Sequence, residues 1–177
     1  MVSSDSFLMT PQKVARFLGF VVAGLIVANV GGLVAKYQFG HGYLFGLVPL
    51  FDIDAEANIP SLFSTVLMLF CSALLVIISI LERTKGCRHQ LWLLLAIIFA
   101  FLAVDEQIGL HERIEKPLRE ALNTSGLLYF AWVIPYSLFL VIIASLYGRF
   151  MLRMPPKFRR LMILSAVIYV TGAIGFE

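Results

Sequence analysis

The sequence predicts an all-α, polytopic membrane helix bundle of five spans with its N-terminus in the cytoplasm. Three observations carry that expectation. First, 60% of the 177 residues are apolar and only 14% charged, with a mean hydropathy of +0.90. Soluble domains average roughly 45–50% apolar and about 25% charged residues, and a domain of ~150 residues still leaves about 30% of its unfolded surface in water. A soluble enzyme, a disordered chain and a disulfide-stapled secreted domain are thereby excluded. Second, the apolar residues gather into stretches of about 20 residues, the length an α-helix needs to cross a ~30 Å hydrocarbon core. The absence of a period-two alternation argues against a barrel. Third, the basic residues are unevenly shared between the connecting segments.

The expected spans are Phe17–Ala35, Ser61–Leu81, Leu91–Leu110, Leu127–Gly148 and Leu161–Glu177. With the N-terminus inside, the cytoplasmic side holds Lys13, Arg16, Arg83, Lys85, Arg88, Arg149, Arg153, Lys157, Arg159 and Arg160. Lys36, Arg113, Lys116 and Arg119 lie on the other side. This bias sets the orientation. The basic residues then act as topological signals beside anionic lipid, and nucleic acid is not an expected partner. The expected partners are the bilayer and, on one reading, other membrane subunits.

The first span follows Lys13 and Arg16 and is read as a retained signal anchor, its apolar run being long for a cleaved leader. Gly24, Ala28 and Gly32 form a small-residue stripe along it, expected to pack against a neighbouring helix. The outer segment 36–60 is aromatic and glycine-punctuated around Phe39–Phe45, and reads as lying in the membrane interface. Asp52, Asp54 and Glu56 begin like a calcium loop but lack the later Gly and Glu, so a solvated turn before a helix is expected, with Asn58 as N-cap and Pro60 in the first turn. A second outer segment, 111–126, opens with a water-facing helix over Glu112–Asn123. Its Glu112/Lys116, Glu115/Arg119 and Lys116/Glu120 pairs sit four residues apart. Trp92 and Trp132 fall near opposite interfaces, as an aromatic belt requires. Cys71 and Cys87 are separated by about 24 Å of helix and carry no metal or redox pattern. Glu177 closes a span in the middle of a glycine-rich pattern, so the chain is expected to continue beyond it.

The chemistry-bearing stretch is Val104-Asp105-Glu106-Gln107-Ile108-Gly109-Leu110-His111-Glu112-Arg113. Asp105 lies about 21 Å along a span that is otherwise apolar from Leu91. An ionisable residue at such depth usually faces protein or a wet cavity and marks a functional candidate. Glu177 reaches about 24 Å along the last span, at similar depth. Glu56, Asn58, Ser61, Ser64, Thr65, Asn29 and Tyr129 add polar groups near the same leaflet. On a straight helix Asp105 and Glu112 share a face about 10 Å apart, while His111 points away from Glu106 by about 140°. A metal site would therefore need ligands from other helices. The candidate set is Asp105, Glu106, Glu177, Glu56, His111 and Glu112, for a proton or a divalent metal. His111 is expected beside Glu115, and His41 and His89 as polar loop residues.

Phe51–Ser61, followed by Asp105-Glu106 and His111-Glu112, resembles a group of uncharacterised bacterial multi-span membrane proteins with Glu-x-Asn-x-Pro and DE-x4-HE segments. That resemblance implies no activity. Asp105-Glu106 alone is similar to the acidic pair of alkaline ceramidase-type membrane hydrolases, which would imply zinc chemistry on a lipid. The histidine set and seven-span layout of those enzymes do not appear in the chain. The expectations are thus an outer-leaflet carboxylate site binding a proton, a divalent cation or a polar head group; an accessory subunit of a larger membrane complex; or a metal-dependent lipid hydrolase. Whether the chain is an enzyme stays open at this point.

Overall fold

The computed structural model describes residues 10–123 and 130–175, with side chains to Gly172. Among them every regular element is helical: α1 Pro11–Gln38, a single 3-10 turn Leu44–Gly46, α2 Leu47–Leu50, α3 Ile59–Thr84, α4 Gln90–Ile108, α5 Leu110–Leu122, α6 Val133–Leu152 and α7 Pro156–Gly175. Four of these, α1, α3, α4 and α6, are long and apolar enough to cross a membrane. That is one fewer than the five expected. The expected last span falls on α7, which begins at Pro156, so that Lys157, Arg159 and Arg160 charge its opening turn. The end of that span, residues 176–177, lies outside the described residues, as do Tyr129 and the expected turn at 124–126.

The burial pattern is that of a membrane protein. Only eight apolar residues are buried among the described ones, while large side chains such as Phe20, Val27 and Leu138 remain exposed. In water such a surface would drive aggregation. In a bilayer the lipid tails cover it, and helices associate through packing and hydrogen bonds instead.

Contacts divide the chain into two units, Met1–Phe63 and Ser64–Glu177. In the first, Thr10 caps α1 by accepting from the Lys13 amide at 3.4 Å. After α1 the chain doubles back along it. The His41 amide donates to the Ala35 carbonyl at 2.9 Å, α2 lays Val48 against Gly32, and the Ile53 amide donates to Asn29 Oδ1 at 3.4 Å. Within the first unit the small-residue stripe meets α2 at Gly32, and a Cβ added at Gly24 would meet nothing within 4 Å. Asp52 Oδ1 accepts from the Asp54 amide, closing the expected turn. Asn58 then caps α3 reciprocally: its Oδ1 accepts from the Ser61 amide at 3.1 Å and its own amide donates to Ser61 Oγ at 2.9 Å.

In the second unit α3 and α4 run antiparallel along a seam of small residues. Ser72 Oγ donates to the Ala96 carbonyl at 2.8 Å and Ser79 Oγ to the His89 carbonyl at 3.0 Å. Donors and acceptors are each seven residues apart, the heptad spacing of a left-handed helix pair. One more step in that register sets Thr65 against Ala103, 9% and 0% exposed. Small side chains at these positions let the two backbones approach. Two tyrosines of α6 hold α4 near both ends. Tyr147 donates to the Leu91 carbonyl at 2.5 Å and Tyr136 to Asp105 at 2.8 Å. Trp92 packs edge-on against Phe150, ring centroids 5.0 Å apart.

Candidate functional site

The site is created by a break in the backbone. Gly109 adopts a left-handed conformation, φ 58° and ψ 48°, ending α4 and opening α5. Glycine takes that conformation without a Cβ clash, which is why it so often follows a helix. The first amides of α5 then lack intrahelical partners, and Gly109 has no side chain to cap them. Asp105, four residues upstream, supplies the missing acceptor: its Oδ1 receives the His111 amide at 3.1 Å. A carboxylate at a helix N-terminus is also favoured by the helix dipole.

The same turn brings the His111 ring back over Asp105. Nδ1 lies 3.4 Å from Oδ2, and Oδ2 accepts from the Tyr136 hydroxyl at 2.8 Å. Asp105 is 5% exposed. Above it the rings of His111, Trp132 and Tyr136 pack edge to face, with centroids 5.1 Å apart for His111–Trp132 and 5.3 Å for Trp132–Tyr136. The carboxylate, imidazole, phenol and indole thus come from four elements: α4, α5, α6 and the residue preceding α6. Glu106 occupies the adjacent face of α4, half-buried, within reach of the charges of His111 and Asp105. Tyr169 of α7 feels the charges of Glu106 and Asp105 in turn.

Of the six candidate ligands, the structure brings Asp105 and His111 into contact and sets Glu106 beside them. Glu112 is exposed on α5. Glu56 belongs to the first unit, half-buried after the Asp52 turn. Glu177 lies outside the described residues. No group of three His, Cys, Asp or Glu side chains among the described residues is placed to hold a metal ion. The described residues thus do not support the expected divalent-metal centre: Glu112 is exposed on α5, and Asp105 accepts from an amide and a phenol.

His111 faces Asp105, and Glu115, one turn further along α5, closes with Arg119 at 2.8 Å, the expected four-residue pair. Trp132 is a buried member of the ring cluster, 6% exposed. Tyr136 and the elbow at Gly109 were not singled out from the sequence. The signal for the elbow was a glycine between an apolar run and a charged one, a helix-stop pattern. Tyr136 gave no signal beyond being a polar-tipped residue in an apolar span.

Chemically, the arrangement is a buried carboxylate–imidazole pair. The imidazole can carry a proton on either nitrogen or on both, and the carboxylate beside Nδ1 orients the ring. No curated protein and no solved structure matches the chain. A family model described as a domain of unknown function, DUF8692, matches residues 17–177, and the chain belongs to that family.

Proposed function

We propose that this chain is a multi-pass membrane protein, its N-terminus in the cytoplasm, whose α4–α5 elbow is a proton-binding centre on the opposite side of the membrane. The observation that supports it is Asp105: a carboxylate buried at the end of an apolar span, in contact with the His111 imidazole and hydrogen-bonded to Tyr136. Such residues in spans commonly belong to proton relays. Of the ligands expected for this leaflet, a proton fits a two-group donor set best, since it needs one acceptor and one neighbour where a divalent metal needs a shell of several ligands. The bias of ten basic residues against four supports the orientation.

The test uses the full chain in proteoliposomes, followed by infrared difference spectroscopy across a pH jump. A carboxyl band that titrates in the parent and in Glu106→Gln, but vanishes in Asp105→Asn, is the expected result. Spectra of Asp105→Asn identical to the parent would overturn the assignment.

One observation favours a second reading. Both Asp105 oxygens are already occupied within the chain, as they would be in a clamp that only fixes the bundle. The chain would then be a structural subunit of a larger membrane assembly. Stable co-purification with partner subunits, undisturbed by Asp105→Asn, distinguishes that role.

A further inference from the structure

The first unit contains a feature that the proton centre does not use. After α1 the chain turns through Leu44, Phe45 and Gly46, all at positive φ of 38°, 57° and 85°. Side chains other than glycine rarely adopt that conformation, and it persists only where surroundings favour it. Among the described residues Phe45 finds no such surroundings, being 96% exposed.

The contacts along α1 say at what level this turn lies. His41 pairs with Ala35, Val48 packs on Gly32, and Ile53 pairs with Asn29. The returning segment therefore descends past six residues of α1, about 9 Å at 1.5 Å per residue. Its lower end is marked by the charged turn Asp52–Glu56, which belongs in the polar layer rather than in hydrocarbon. Its upper end is marked by Lys36. Between Tyr37 and Phe51 there is no Asp, Glu, Lys or Arg. The descent is comparable to the head-group layer, which adds about 5–7 Å to each side of the hydrocarbon core. Loop amides and carbonyls at this level are met by side-chain amides. Asn29 accepts from Ile53, and Asn58 Nδ2 donates to the carbonyls of Pro49 and Asp52. This is the provision a backbone needs where water is scarce.

We propose that this folded-back segment is a lipid-binding collar in the head-group layer of one leaflet, with Phe45 as its lipid-facing ring. Both of its ends run into helices long and apolar enough to cross the membrane, so the bilayer is the partner within reach. Phenylalanine commonly supplies the lipid-directed face of interfacial segments. The strained turn projects the ring into the lipid, and the lipid supplies the burial that the protein does not.

The experiment places an environment-sensitive fluorophore on Phe45→Cys in a Cys71→Ala, Cys87→Ser background of the full chain, reconstituted in phosphatidylcholine vesicles. The same label on Arg88→Cys gives the aqueous reference, and on Val22→Cys the deep reference. Quenching of the position-45 label by lipids carrying a nitroxide near the head group, at least twofold stronger than by aqueous iodide, is expected. Quenching by iodide equal to that at position 88 would overturn the collar. Quenching only by nitroxides near the chain ends, as at position 22, would overturn its placement in the head-group layer. Because Phe45 is 96% exposed among the described residues, its replacement is expected to leave the fold intact. A label on Phe39→Cys, also exposed, repeats the measurement at the start of the segment.

Discussion

The Tyr136 hydroxyl donates to Asp105 Oδ2 across 2.8 Å, joining residues 31 positions apart. It ties α6 to the carboxylate that caps α5. Removing the hydroxyl leaves a buried carboxylate oxygen short of its best donor, and an unsatisfied buried acceptor costs about 1–3 kcal/mol. Tyr136→Phe is therefore expected to lower the thermal midpoint in detergent by several degrees. Asp105→Asn keeps an acceptor for the His111 amide and is expected to cost less than Asp105→Ala, which removes both partners at once. A scanning melt of the three variants checks the order.

The elbow itself makes a second prediction. Any side chain at Gly109 must accept φ of 58°, at a cost of roughly 1–2 kcal/mol for an L-residue in the left-handed region. Gly109→Ala is expected to destabilise by about that amount, and Gly109→Asn by less, since asparagine tolerates this conformation. The distinguishing measurement is the His111 ring environment. If the alanine variant instead allows α4 to continue straight, the ring leaves Asp105 and its NMR shifts lose their dependence on Asp105→Asn.

These two residues also show how far the sequence could be read. The class of the protein was legible, because a composition this apolar leaves no soluble alternative. Asp105 and His111 were legible as candidates, because an acid in an apolar run stands out. Their contact was not, because it depends on a single backbone rotation at Gly109. A straight helix of 100° per residue points His111 elsewhere, and one left-handed glycine restores it. Tyr136 was hidden for a different reason. It donates across an interface between helices, and no periodicity in α6 announces which of its faces meets α4. Among the described residues four helices rather than the expected five are long and apolar enough to cross a membrane, and the expected last span, on α7, ends outside them.

A third prediction concerns Gly32 of α1. An added Cβ there would lie 3.7 Å from Val48 Cα and from Val48 Cγ1, an ordinary van der Waals distance. Gly32→Ala is expected to be tolerated within about 0.5 kcal/mol, and a helix-favouring gain could offset even that. Gly32→Ile adds atoms that the Val48 backbone must yield to, at a cost typical of overpacking, about 1–3 kcal/mol. The readout is proteolysis of the segment 39–53 in vesicles: unchanged in Gly32→Ala, faster in Gly32→Ile.

The seam between α3 and α4 makes the last prediction, and it separates two contributions that are easily confused. Ser72 and Ser79 each donate a hydrogen bond to an α4-side carbonyl, and each is also small. In membrane proteins such interhelical bonds average only about 0.6 kcal/mol, because the separated helices find other partners. If the bonds held the seam together, Ser72→Ala and Ser79→Ala would each weaken it by that modest amount and the double variant by about twice as much. If smallness matters more, both alanine variants remain close to the parent, while Ser72→Leu forces the backbones apart opposite Ala96, which is 1% exposed. The buried Ala96 favours smallness, for it contributes no hydrogen-bonding side chain and yet sits opposite Ser72 at the middle of the seam. The expected order of destabilisation, measured by unfolding in mixed micelles, is therefore Ser72→Leu far above Ser72→Ala. Alanine and leucine variants of equal stability would show that the register is held by something other than close approach.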